Sequence, residues 1–229
     1  MRRVIPILAV VLAVGVAVGC LLYFRSTQWP TDAPSESPGT AGYDRARVDA
    51  ERLPVKGWDR EVDFRRSAFG EAWSDDVEVE FGHNGCNTRD DILRRDLADL
   101  IVRPGTCYAQ RGTLNDPYRG EPIAFERGPT TSDVVQIDHV VSLSDAWYKG
   151  ARLWDDQRRR NFANDPRNLL AVDGKANFDK AFRDAASWLP PNVAFRCDFV
   201  ARQVEVKTAY GLSVSAKEKR AMADVLAGC

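Results

Sequence analysis

Histidine is scarce in this chain, cysteine is modest, and neither sign of charge is in excess. There are two His and five Cys in 229 residues, with no Cys-x-x-Cys pair. The ligand spacings of common structural zinc sites are therefore missing. The 32 Lys and Arg meet 33 Asp and Glu, a formal net charge of −1. No overall positive field draws a polyanion, and no internal repeat is visible. What remains is ordinary globular material, 44% hydrophobic and 28% charged. Six Trp, ten Phe and six Tyr can supply a core. Charge is uneven locally. Residues 71–91 carry seven acidic side chains against Arg89 alone, whereas 149–183 carry nine Lys and Arg. That second stretch reads as a modest basic patch or as a solvated mixed surface.

The longest apolar run is at the N-terminus. After Arg2 and Arg3 come 21 residues without a charge, Val4 to Phe24. At about 1.5 Å per residue such a helix crosses a hydrocarbon core of about 30 Å. Residues 1–25 therefore read as a transmembrane anchor, with Arg2 and Arg3 on the cytoplasmic side. The alternative is a signal segment cleaved near Gly19. Either way the rest of the chain lies outside the cytoplasm, membrane-held or secreted. Residues 26–42 are rich in Pro, Ser and Gly and read as a flexible linker, which leaves 43–229 as one domain. Apart from Cys20 there are four cysteines: Cys86, Cys107, Cys197 and Cys229. An even number in an exported domain implies two disulfides. Three pairings are open, and the local one joins Cys86 to Cys107 and Cys197 to Cys229.

Patterning predicts an α+β fold, mostly helical around a small two-strand-and-helix core. Thr88 and Asp91 read as a capping box, opening a helix through Ile92, Leu93, Leu97, Leu100 and Ile101. Leu114 to Phe125 reads as a hairpin. Val134 to His139 reads as a strand, 144–162 as a helical excursion, and Asn168 to Val172 as a second strand. Residues 175–189 read as a helix running to Pro190. Asn192 and Gly211 bracket another helix, and Ser215 with Glu218 caps the last.

Strand, excursion, strand and helix can bring Asp138, His139, Asn168 and Asn177 together. Asp138 and Asn177 offer hard oxygens suited to a divalent ion such as Mg²⁺. His139, with an ordinary pKa near 6.5, can take a proton from water. That set suits phosphodiester hydrolysis. His83 reads as a loop residue, and Trp147, Trp154 and Trp188 as core.

The stretches IDHVVSLSDAW, FANDPRNLLAVDGKAN and SWLPPN resemble the HNH endonucleases, the ββα-metal nucleases. The closest likeness is to the actinobacterial secreted group related to the C-terminal nuclease domain of modification-dependent restriction enzymes. NGCNTRDDILRRDL and FRCDFVARQVEVKTAYGLSV extend the likeness over most of residues 65–229. The resemblance implies His139 as general base, Asn168 as the brace of the site, and Asp138 and Asn177 as ligands of Mg²⁺ or Mn²⁺. Lys180, Arg183 and Arg89 are the candidate phosphate contacts. The group's usual N-x-x-K-G-D reads here Asn177-Phe178-Asp179-Lys180-Ala181-Phe182, so the small and acidic positions are replaced. The implied partner is nucleic acid, DNA with little sequence preference, and whether an immunity or inhibitor protein exists stays open. The alternative from another class is a non-catalytic, disulfide-stapled binding domain on the cell surface.

Overall fold

The computed structural model describes residues 40–129 and 131–229. The expected membrane segment lies outside them, as does most of the expected linker. No helix among the described residues is long and apolar enough to cross a membrane. The first described helix, α1 (Thr40–Arg52), already takes in the last three residues of the expected linker.

Among the described residues, seven α-helices and two small antiparallel sheets follow one another in a mixed α+β arrangement. After α1 come α2 (Thr88–Asp96), β1 (Leu97–Val102), β2 (Ala109–Asn115) and β3 (Pro122–Glu126), the strands forming a meander in the order β1-β2-β3. Strand β4 (Val135–His139) precedes helices α3 (Leu143–Tyr148) and α4 (Asp156–Asn164). Strand β5 (Leu169–Asp173) then returns to pair with β4, and α5 (Gly174–Lys180) follows directly. Helices α6 (Arg196–Tyr210) and α7 (Ala216–Ala227) close the chain. Disulfides join Cys86 to Cys107 and Cys197 to Cys229. The first ties the start of α2 to the β1–β2 loop, and the second ties α6 to the C-terminus.

The β4–β5 pair is the organising unit. Successive residues of a strand face opposite ways, and the register sets Ile137 against Ala171 and Asp138 against Leu170. Val135, Ile137, Leu169 and Ala171 share one core cluster with α2 and the three-stranded sheet. Leu170 and Val172 belong to a second cluster with α1, α6 and α7. A pair buried on both sides is rich in branched aliphatics for that reason. Gln136 and Asp138 point to the side that α5 crosses. Gly174 opens α5 where a side chain is forbidden, because a Cβ there would lie 2.0 Å from the Asp133 carbonyl oxygen.

Three local expectations are corrected. Asn87, not Thr88, caps α2: its Oδ1 accepts from Asp90 N at 2.9 Å. The Thr88 hydroxyl instead donates to Ser74 O and Asn164 Oδ1, both at 3.0 Å. The helix also ends at Asp96, and Leu97, Leu100 and Ile101 belong to β1. There β1 pairs with β2, and the Arg95–Asp96 pair at the helix end serves the outer edge of β5. Arg95 donates to Leu169 O at 2.7 Å, and Asp96 Oδ2 accepts from Ala171 N at 2.8 Å. These side chains satisfy backbone groups that another strand would otherwise pair. Finally, α5 stops at Lys180 rather than running to Pro190. Asp184 is drawn out of helical register to receive the buried ammonium of Lys149 at 3.0 Å.

Asn192 caps the 3-10 turn Val193–Phe195 rather than α6, which starts at Arg196, and other expectations match the observed elements. The hairpin is β2–β3, Gly211 ends α6 in the left-handed conformation, and Ser215 with Glu218 forms a complete capping box. Trp147 is buried, and Trp154 and Trp188 are partly buried against core clusters.

Candidate active site

Strand β4 has no second partner among the described strands, and Gln136 to His139 line a cavity of about 530 Å³ beside it. The same cavity is lined by Asn177 and Ala181 of the α5 segment, by Ser142, and by Arg66, Trp73, Arg89 and Asp133. Asp138, His139 and Asn177 are therefore gathered at one site, as the spacing predicts.

His139 is held by its backbone-facing nitrogen. Its Nε2 lies 2.8 Å from the Ala163 carbonyl oxygen. A carbonyl only accepts, so Nε2 carries the hydrogen and Nδ1 of the neutral ring is left with the lone pair. The ring lies nearly parallel to Trp73, 13° between planes and 5.9 Å between centroids. Burial pushes the imidazole pKa down to about 3. The Ala163 bond opposes this shift, and the charges of Arg66 and Lys180 add to it. The ring is thus neutral and able to accept a proton across the physiological range.

Asn168 does not touch the cavity. It is fully buried, with Nδ2 donating to Val141 O at 3.1 Å and Oδ1 accepting from Val141 N at 2.8 Å. Its backbone O also accepts from Val140 N at 2.8 Å. It extends the β4–β5 pairing past His139 and so fixes the chain on which that imidazole sits. Gln203 reinforces the same point, donating to Val140 O at 3.0 Å.

Asp138 is enclosed, at 5% exposure. Its Oδ2 accepts from the Tyr118 hydroxyl at 2.5 Å and its Oδ1 from Lys180 Nζ at 3.0 Å. Burial raises its pKa, and Lys180 and Tyr118 oppose that rise. Lys180 itself is 0% exposed and also donates to His139 O at 2.8 Å. The expected role of Lys180 in gripping phosphate is therefore corrected: its ammonium is spent inside, holding the Asp138–His139 pair. Arg183 is exposed and donates to Asp179 O at 2.7 Å, while Arg89 does line the cavity.

The donor set suits a hydrated hard cation in kind. Asn177 gives its Nδ2 to Gln136 Oε1 at 2.9 Å, which leaves the amide oxygen as its acceptor. The Asp138 carboxylate, which takes donors from Tyr118 and Lys180, has about four lone-pair sites, so an acceptor position remains. Mg²⁺ keeps several waters and needs only one or two carboxylates besides phosphate oxygens. Among the described residues no cluster of three or more His, Cys, Asp or Glu could enclose an ion. Lys180 already offsets the charge of Asp138.

One strained residue adjoins the site. Ala181 has φ 50° and ψ −124°, the first corner of a type II′ turn, where glycine is favoured. Relief of about 1–2 kcal/mol of strain outweighs the 0.4–1 kcal/mol of added chain entropy, roughly, in the unfolded state. Ala181→Gly is thus expected to stabilise the domain by roughly 0.5–1 kcal/mol, read as a higher urea midpoint. A lower midpoint would contradict the assigned strain.

Trp73, Tyr118 and Arg66 were not legible as site residues. Trp73 has φ 60° and lies in a stretch without periodicity. Tyr118 falls in a hairpin turn and reaches Asp138 across 20 positions.

Two comparisons bear on this geometry. Residues 87–225 match the family described as GmrSD restriction endonucleases, C-terminal domain. An uncharacterized secreted protein of Arthroderma benhamiae is 39% identical over 146 residues, covering 63% of this chain and 68% of that protein. No solved structure matches.

Proposed function

Because the chain belongs to the family of the C-terminal domain of GmrSD restriction endonucleases, we propose that it is a divalent-metal-dependent endonuclease. It hydrolyses phosphodiester bonds of nucleic acid, DNA with little sequence preference, outside the cytoplasm. The observation that carries this reading is the neutral imidazole of His139, locked by Ala163 and facing a cavity with Asp138 and Asn177. His139 Nδ1 takes the proton of the attacking water. Lys180, Tyr118 and Asn168 keep the base and the carboxylate in place. Asp138 and Asn177 are the residues that would hold the ion, Mg²⁺ or Mn²⁺. When bound, it supplies charge stabilisation at the phosphoryl oxygens and the departing oxygen. The apolar run Val4 to Phe24 and the secreted relative support the location.

A second reading has one observation in its favour. The carboxylate of Asp138 is already compensated by Lys180, as it would be in a non-catalytic binding domain on the same scaffold. The full-length chain, purified in a non-ionic detergent, separates the two. Supercoiled plasmid and RNA are incubated with it in EDTA, Mg²⁺, Mn²⁺ or Ca²⁺. Nicking of plasmid with Mg²⁺ or Mn²⁺ and none in EDTA is the expected result. A protein that binds either polymer yet cuts neither with any ion is a binding domain.

A further inference from the structure

The catalytic reading leaves two guanidinium groups in the cavity without a task. Arg66 comes from the 3-10 turn Arg66–Phe69 and Arg89 from the first turn of α2, and both line the cavity with Asp138 and His139. Arg66 is exposed and makes no hydrogen bond or ion pair with another described residue. Arg89 is half buried, and the one bond it makes runs from Nη2 to Val135 O at 3.3 Å. Its sequence neighbour Asp90 does not neutralise it, because Asp90 Oδ1 is taken by Arg127 and by Ala109 N. Burial and the charge of Arg127 press the Arg89 pKa down, outweighing Asp90 and Asp133.

An uncompensated, partly desolvated guanidinium is costly unless an anion completes it. Planar guanidinium groups bind phosphate oxygens through paired N–H donors. Asp133 is the one cavity-lining carboxylate besides Asp138 among the described residues, and Asp138 is offset by Lys180. Arg66 and Arg89 therefore exceed the remaining negative charge. Arg66 also lies upstream of residues 87–225, the part of the chain that matches the family.

We propose that Arg66 and Arg89 together grip the non-bridging oxygens of the phosphodiester presented to His139, Arg66 reaching the cavity from upstream of the residues matched to the family. The inference rests on the nuclease reading and identifies how that site holds its substrate. No covalent step involves either side chain. They position the phosphorus and offset charge on its oxygens.

The test reads binding without metal. Short single-stranded and duplex DNA are titrated with the full-length chain in EDTA, by fluorescence anisotropy, over a series of KCl concentrations. A protein that neutralises one phosphate fewer loses about 0.9 from the slope of log affinity against log salt on duplex, and about 0.7 on single strands. Arg66→Ala and Arg89→Gln are each expected to show that loss, with affinity falling equally for all sequences. Arg66→Lys keeps the slope but binds more weakly than wild type. Unchanged slopes in Arg66→Ala, or a wild type that binds no DNA, overturn the proposal. Because Arg66 is exposed and unbonded, its variants test the clamp even if Arg89→Gln fails to fold, which thermal unfolding checks. Cleavage is measured in parallel. A wild type that cuts, with Arg66→Ala cutting equally at unchanged slope, overturns the clamp and leaves the nuclease. A wild type that cuts nothing while Arg66→Ala loses slope overturns the nuclease and leaves the clamp.

Discussion

His139→Ala is expected to lower metal-dependent cleavage of plasmid DNA by about 10²–10⁴-fold, the range for loss of a positioned general base. DNA binding in EDTA should stay near wild type, because the imidazole is neutral and offers no charge to phosphate. The substitution strands the Ala163 carbonyl and removes the ring stacked on Trp73. A stability cost of about 1–3 kcal/mol accompanies it, so folding is checked by thermal unfolding before rates are compared. The pH profile supplies an independent mark. Burial holds the imidazole pKa down near 3, and the acid limb of cleavage should fall well below the ordinary histidine value of about 6.5. Stability follows the same group. Between pH 3 and pH 6.5, roughly, the unfolded chain binds the proton and the folded chain does not. The contribution of His139 is therefore full above the unfolded pKa and shrinks as pH falls toward 3, by about 1.4 kcal/mol per pH unit. His139→Ala should flatten that slope. A variant that cuts as fast as wild type removes His139 from the chemistry.

How much of this was legible depended on how local the signal was. The β4 strand announces itself through Val, Ile and the Asp138-His139 pair at its end. The α7 capping box needs only four consecutive residues, and the left-handed stop at Gly211 needs one. Segment 88–102 misled because Leu93, Leu97, Leu100 and Ile101 keep helical spacing. Pairing of β1 with β2, with register shifts between Ala98 and Val102, overrides that periodicity. Nothing near Lys180 signals that its ammonium turns inward, since the groups that receive it lie 41 and 42 positions away. Gathering of Asp138, His139 and Asn177 was readable from element order. The walls made by Arg66 and Trp73 were not, because irregular segments carry no period to extrapolate.

The second large effect falls far from any substrate. Lys149→Met is expected to destabilise the domain by about 3–5 kcal/mol, the usual cost of removing one partner from a buried ion pair. Lys149 is enclosed by Asp145 at 2.5 Å, Glu218 at 2.6 Å and Asp184 at 3.0 Å, with no exposure of its own side chain. Burial alone would lower its pKa, but the three carboxylates raise it above the ordinary value. Lys207 bridges Asp145 at 2.7 Å and Glu218 at 2.9 Å. Two cations thus face three carboxylates, and losing one leaves three negative charges against Lys207 alone. The network joins α3, the turn after α5, α6 and α7, so its loss loosens the scaffold behind β4. Urea unfolding reads the cost as a lower midpoint. Part of the loss should be recovered on mild acidification, because protonating a stranded carboxylate removes its charge. Equal midpoints for variant and wild type at neutral pH would mean that the ammonium contributes nothing net. A deficit that does not narrow as pH falls would assign the cost to lost packing of the lysine stem rather than to its charge.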